Sequence, residues 1–182
     1  TPPCVDAVIK AGIKNVVIGM KDPNRLTNGK SIAKLRRAGI KVQAGILEQE
    51  LCQMNEAFVK YITKKMPFVV AKTAQTLDGK IATQNGESKW ITSDMTRKYS
   101  HDLRNEFDAI LVGINTVLKD DPRLNAPKKR LKKIILDSSL QIPLKARIFK
   151  ETLPENCFIA TTNAADKKKL SLLEKRGVNV IV

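Results

Sequence analysis

Aromatic side chains are scarce in this chain: 4% of 182 residues, with one Trp (Trp90). So thin a supply argues against a surface on which successive bases could stack. Histidine occurs once, as His101 beside Asp102 in a helical stretch, and reads as a solvated helix residue. Cysteine is as sparse. Cys4, Cys52 and Cys157 are scattered and odd in number, which argues against a disulfide framework and for a reducing, cytoplasmic setting. No Cys-x-x-Cys or His-rich spacing occurs, so these residues cannot alone close a four-ligand zinc site. No apolar run reaches the roughly 18 residues of a membrane span. The start, Thr1-Pro2-Pro3-Cys4, lacks the basic and apolar regions of a secretory signal. It reads as a cut inside a domain, and the far end, Gly177 to Val182, stops on a strand.

Acidic residues are also few, 18 against 33 basic, for a net charge of +15. Such an excess raises nucleic acid as a partner. Its distribution weakens that idea. Residues 1–66 hold 12 basic and 5 acidic side chains, residues 67–182 hold 21 and 13, and Lys outnumbers Arg 24 to 9. The one dense run, Lys128-Lys129-Arg130-Leu131-Lys132-Lys133, reads as a solvated loop entering a strand, with a phosphate-bearing small ligand as the intermediate reading. A basic nucleic-acid-binding module without catalytic activity stands as the alternative function.

What is present is a regular alternation. Pro2 and Pro3 suit a helix start, and Val5 to Lys10 follows as a short helix closed by Ala11-Gly12. Val16 to Met20 is a continuous apolar run, as in a buried parallel strand. Ser31 to Ala38 predicts a helix, Ile40 to Leu47 a strand, and Glu48 to Lys65 a helix with Leu51, Met54, Asn55, Phe58 and Ile62 on one face. Pro67 stops it. Phe68 to Ala71 is strand-like and leads to a tight turn at Asp78-Gly79, the signal of an ordinary hairpin. Thr92-Ser93-Asp94 caps a helix from Met95 to Glu106. Strands at Asp108–Gly113, Lys133–Asp137, Cys157–Ala160 and Val178–Val182 alternate with helices at Asn115–Lys119 and Asp166–Arg176. The fold class is therefore α/β, a mostly parallel sheet with helices on both faces. Ligands in such sheets sit beyond the carboxyl ends of strands, here the loops after Lys72, Val112 and Leu136.

Motifs in register carry a family resemblance over essentially the whole chain. Thr1-Pro2-Pro3-Cys4-Val5-Asp6-Ala7-Val8-Ile9, Ala11-Gly12-Ile13, Asp22-Pro23-Asn24 and Ala38-Gly39-Ile40 resemble the end of a deaminase domain. Leu77-Asp78-Gly79-Lys80-Ile81-Ala82, Gly86-Glu87-Ser88-Lys89-Trp90-Ile91-Thr92, Leu103-Arg104, Asp108 to Gly113, Thr116-Val117 and Asp120-Asp121-Pro122 resemble a reductase domain. Together they are similar to the bifunctional riboflavin-biosynthesis enzymes. Those join a diaminohydroxyphosphoribosylaminopyrimidine deaminase to a 5-amino-6-(5-phosphoribosylamino)uracil reductase.

The resemblance implies two parts. Residues 1–66 are expected to be the C-terminal part of a cytidine-deaminase-like zinc domain, and residues 67–182 the N-terminal part of a dihydrofolate-reductase-like domain. It implies NADPH as hydride donor, zinc in the full-length deaminase domain, a phosphoribosylaminopyrimidine as substrate, and a homodimer. Cys4 matches the second zinc cysteine, whose His-x-Glu partner motif is not among these residues. Ala74, Trp90, Thr116, Asp120 and Ser138 match NADP positions, and Ser88, Arg104 and Leu124 match substrate positions. Lys72 is the side chain expected nearest the chemistry. Each type suits its place. Small Ala74 permits close approach, Trp90 offers an apolar face, the Thr116 and Ser138 hydroxyls can bond ribose or phosphate, and Arg104 can grip a phosphate bidentately. The family carries an Arg shortly after Leu124; Pro127 stands there, and Lys128, Lys129 or Arg130 is the candidate replacement. A Glu-Gly-Gly phosphate-binding segment of the family is also not among these residues.

Overall fold

The computed structural model describes residues 4–182, so the expectation that Pro2 and Pro3 open the first helix lies outside the described residues. The chain forms two compact units, one up to Thr73 and one from Ala74. In the first unit, helix α1 (Cys4–Lys10) precedes strand β1 (Asn15–Ile18), helix α2 (Lys30–Arg37), strand β2 (Lys41–Ala44) and helices α3 (Glu48–Met54) and α4 (Glu56–Lys64). β1 and β2 pair in parallel, Asn15 opposite Lys41 and Ile18 opposite Ala44. Val5 of α1, Leu35 of α2 and Ile40 form the unit's buried cluster, with Val8, Ile9, Val16, Ile18 and Val42 packed around.

Two expectations for this unit change. β2 ends at Ala44, because Gly45 turns away with φ 89. The helix expected over Glu48 to Lys65 is two helices broken at Asn55. There the side-chain amide donates to the Leu51 carbonyl at 2.8 Å, taking part of an acceptor that continuous helix needs. Asn55 sits at φ −109, closing α3 and opening α4.

The second unit holds α5 (Asp94–Asp102) with a 3-10 turn at Leu103–Glu106, β3 (Ala109–Gly113), α6 (Ile114–Asp120), β4 (Lys132–Leu136), α7 (Arg147–Lys150), β5 (Cys157–Ala160), α8 (Lys167–Lys175) and β6 (Asn179–Ile181). Ser93 caps α5, accepting from the Thr96 amide, and Asp166 caps α8, accepting from the Lys168 amide at 2.8 Å. The four strands form one parallel sheet in the order β3-β4-β5-β6.

The sheet is parallel as expected, but its buried cluster lies on one face. Alternate residues Ile135 and Ile159 point into it, with Val117 of α6, Ile148 of α7 and Leu173 of α8. Residues on the other face stay open, Leu111 at 56%, Leu136 at 47% and Ile181 at 57% exposure. Strands laid down in sequence order with crossovers of one hand place every crossover helix on the same side. Cover on both faces needs a reversal of strand order that these four strands lack.

The expected strand at Phe68 to Ala71 does not form: the segment belongs to no strand and has no ladder partner among the described residues. The expected turn does form, and it is duplicated. The Thr76 amide donates to the Lys80 carbonyl at 2.9 Å, while the Lys80 amide donates to the Thr76 hydroxyl. Thr83 and Glu87 repeat the arrangement. Gly79 (φ 78) and Gly86 (φ 81) take the left-handed position that closes each turn.

At the carboxyl end of β4 the buried Asp137 carboxylate accepts from the Gln141 and Ile142 amides, both at 2.8 Å. It holds a loop whose Leu140 sits at φ 58. Replacing Asp137 by Ala leaves both amides without that acceptor, so urea denaturation of Asp137→Ala should show about 3 kcal/mol of lost stability. A loss below about 0.5 kcal/mol would mean the carboxylate is not holding the loop.

Candidate active site

The expected site residues of the second unit fall into three groups. The first is the loop that precedes α5. Asp78 accepts from the Thr76 hydroxyl and pairs with Lys80 at 2.9 Å. Those two partners, the hydroxyl first, hold its carboxyl below the usual range, so Asp78 is a turn carboxylate. Trp90 is 70% exposed, and the Arg97 guanidinium stacks on one ring face 4.1 Å from the centroid. Arg97 is fixed in turn by the Thr92 carbonyl and the Asp94 carboxylate. One indole face remains open to a ligand ring. Ser88 is exposed two residues away.

The second group lies where β3 and β4 end. Thr116 and Asp120 are four apart on α6 and share an exposed flank while Val117 enters the core. A Cβ added to Gly86 would lie 3.7 Å from the Lys119 ammonium, which brings the Thr83–Glu87 turn beside this helix. Ser138, one residue beyond the Asp137 clamp, is tied to the end of β5. Its carbonyl accepts from the Thr162 amide and the hydroxyls of Thr161 and Thr162, at 2.8 to 3.1 Å.

The third group is an open cleft of about 510 Å³ lined by Arg104, Leu124, Asn125, Arg123, Arg147 and His101, with Pro127 at its edge. Arg104 comes from the 3-10 turn before β3 and donates to the Asn125 carbonyl at 2.9 Å. Partial burial pulls its pKa down from the ordinary value, yet a guanidinium keeps its charge at any physiological pH. Leu124 has φ 54 and a buried side chain. Its side chain belongs to the core, so only its backbone is free to meet a ligand.

The structure thus brings Arg104 and Leu124 into one cleft and places Thr116 and Asp120 on one helix flank. Ala74 is half-buried at the start of the second unit. Lys72 is exposed and belongs to the first unit. Pro127 stands in the cleft, while Lys129 and Arg130 line an adjoining cavity of about 430 Å³ that shares Asn125 and Ala126 with it. The cations that join Arg104 are Arg123 and Arg147 instead. Sequence reading passed over both because Arg123 lies in the loop after α6 and Arg147 opens α7, with no motif to connect them. Cys4 is exposed at the start of α1, and among the described residues no three His, Cys, Asp or Glu side chains are gathered to hold a metal ion. One thiolate does not fit a zinc site.

Residues 67–181 match the family described as RibD C-terminal domain. The whole chain aligns at 46% identity with riboflavin biosynthesis protein RibD of Aquifex aeolicus, covering 51% of that protein, and at 42% with its Synechocystis counterpart, covering 50%. Among solved structures, RibD of Acinetobacter baumannii superposes with a TM-score of 0.81 at 35% identity, over the whole of this chain and 51% of that one. A Thermotoga maritima protein described as a diaminohydroxyphosphoribosylaminopyrimidine deaminase/5-amino-6-(5-phosphoribosylamino)uracil reductase gives 0.78 at 40% identity, over the whole of this chain and 57% of that one. With a parallel α/β sheet, a cation-lined cleft and these relatives in agreement, the chain belongs to the RibD family. It spans about half the length of the curated relatives it matches. None of these likenesses supports the nucleic-acid-binding alternative.

Cys157, opposite Lys133 in the β4–β5 ladder, is buried, and burial pushes its thiol from an ordinary 9.0 up to about 11 against the pull of the Lys133 charge. Alkylation of the native protein at pH 8 should label exposed Cys4 and spare Cys157, with mass mapping as readout. The native thiol keeps its proton where the unfolded one loses it, so stability should fall as pH rises from 9 towards 11. Cys157→Ala should flatten that slope, and an unchanged slope would locate the titration elsewhere.

Proposed function

We propose that the second unit is the front part of an NADPH-dependent reductase that converts the ribosyl group of 5-amino-6-(5-phosphoribosylamino)uracil to the ribityl product. The first unit is then the tail of the pyrimidine deaminase domain, with Cys4 completing its zinc site only in the full-length protein. The observation that carries this reading is the meeting of Arg104, Arg123 and Arg147 around the Leu124 backbone, a cation set sized for one phosphate and far too small for a nucleic-acid track.

The donor set suits the ribose and ring portions of a nicotinamide dinucleotide. Thr116 and Ser138 offer hydroxyls, Asp120 an acceptor for a ribose hydroxyl, Ala74 room for close approach, and Trp90 one open indole face. When bound, the cofactor supplies hydride to the ribosyl C1′ carbon. The chain's own residues orient and neutralise. Arg104 grips the substrate phosphate, the Leu124 backbone sets its depth, Ser88 bonds the substrate through its hydroxyl, and Lys72 offers a proton to the ring oxygen released as C1′ is reduced.

In the full-length protein, substrate should cause loss of NADPH absorbance. Arg104→Ala should raise KM about 10- to 100-fold with a smaller effect on kcat. Equal KM for the variant and wild type would remove Arg104 from the phosphate site. Leu124→Ala should instead lower stability by about 2–5 kcal/mol, read by thermal melting, because its side chain is core.

A further inference from the structure

Lys133 stands where the alternation of β4 calls for an apolar side chain. It points to the covered face with Ile135, lies opposite Cys157, and is 3% exposed. Burying an ammonium is costly unless every donor is satisfied. Here all three are. Lys133 Nζ donates to the Arg123 carbonyl at 2.6 Å, to Asn125 Oδ1 at 2.7 Å and to the Thr152 hydroxyl. These acceptors are neutral, so the ammonium is held by dipoles and not by a counter-charge. Burial lowers its pKa; Cys157 and Glu151 oppose the shift and the Arg104 charge adds to it.

Two of the three acceptors belong to the turn that shapes the cation-lined cleft. That turn holds two non-glycine residues at positive φ, Asp121 at 40 and Leu124 at 54. Such a backbone persists only where its surroundings over-determine it. Asp121 accepts from the Arg147 amide at 2.8 Å, and the Leu124 side chain is locked in the core. Asn125 is bonded on every side. Its Oδ1 takes Lys133, its Nδ2 gives to Glu151 at 2.9 Å, and its carbonyl takes Arg104 at 2.9 Å. Glu151 also pairs with Arg123 Nε at 3.0 Å. Lys133 therefore reaches from inside the sheet to the residue against which the Arg104 guanidinium is set.

We propose that Lys133 is a positioning residue for the substrate-phosphate end of the cleft: by tying the Arg123 carbonyl, Asn125 and Thr152 together from beneath, it fixes the turn that aims Arg104. The inference rests on the reductase reading of the cleft. It assigns to a buried strand lysine control over the setting of Arg104 and Arg123.

The test uses the full-length protein with Lys133→Met, which keeps the length and removes all three donors, and Lys133→Arg, which keeps the charge and donors. Lys133→Met should raise KM for the phosphoribosylaminouracil about tenfold or more, with kcat within about twofold. NADPH affinity, measured by fluorescence titration, should not change. Lys133→Arg should recover most of the KM. Backbone amide exchange across residues 123–127 should accelerate in Lys133→Met while α8 is unaffected. Ile159→Val, a core change on the neighbouring strand, should lower the melting temperature without moving KM. An active Lys133→Met enzyme with wild-type KM, or one in which KM rises while kcat and NADPH affinity fall with it, overturns the proposal. Absence of substrate-dependent NADPH oxidation in wild type overturns the reductase reading instead, and unchanged exchange at 123–127 in Lys133→Met then overturns the clamp on its own. Should Lys133→Met fail to fold, Thr152→Val carries the same test at smaller amplitude, with an unchanged KM counting against the proposal.

Discussion

Strand β4 sends Lys133, Ile135 and Asp137 to the same covered face, and the second unit depends on that register. At one end an ammonium takes hold of the 123–125 turn; at the other a carboxylate takes hold of the 141–142 amides. Between them Ile135 is fully buried in the core. The two charged ends are about 13 Å apart along the strand, too far to neutralise each other, so each is satisfied locally. A shift of one residue in pairing would send all three to the open face. The site therefore inherits its geometry from strand pairing, since the cleft turn hangs from the amino end of β4 and Ser138 from its carboxyl end.

This arrangement explains why the site mixes buried polar groups with exposed ones. Arg104, Arg123 and Arg147 face an open cleft, where ion pairs such as Arg123 with Glu151 contribute little alone. What gives the cleft a definite shape is the network beneath it, in which Asn125 uses its amide nitrogen, amide oxygen and backbone carbonyl at once. Networks of this kind are costly when half satisfied and rigid when complete. Among the described residues no fully buried side-chain nitrogen or oxygen lacks a partner.

Much of the fold was legible because parallel strands buried on one face still read as short apolar runs, and because Ser93, Asp166 and Gly177 mark helix ends by local chemistry. The break at Asn55 was not legible, since Leu51, Met54 and Phe58 keep helical spacing through it and only the side-chain amide tells otherwise. The one-sided cover was not legible either. Strand order decides which face receives helices, and composition carries no trace of order. In the site, Arg104 and Leu124 could be named from motifs in register, whereas Arg123 and Arg147 meet only in three dimensions. Lys133 was hidden by its neighbours: at the end of Lys128 to Lys133 it looks like the last of a solvated run, although alternation with Ile135 turns it inward.

The order of the strands also bears on how the unit comes together in time. Each strand pairs with the next one in the chain, roughly two dozen residues on in every case, as with Leu111 and Ile134, Ile135 and Ile159, Ile159 and Val180. No pairing waits for a distant segment, so loop closure is similar at every step. During synthesis β4 meets β3 before β5 exists. The clamp from Lys133 to Arg123 and Asn125 lies wholly within that first pair and its connection, while its third acceptor, Thr152, arrives just ahead of β5. The cleft turn is thus assembled early, and the later strands seal a geometry already set.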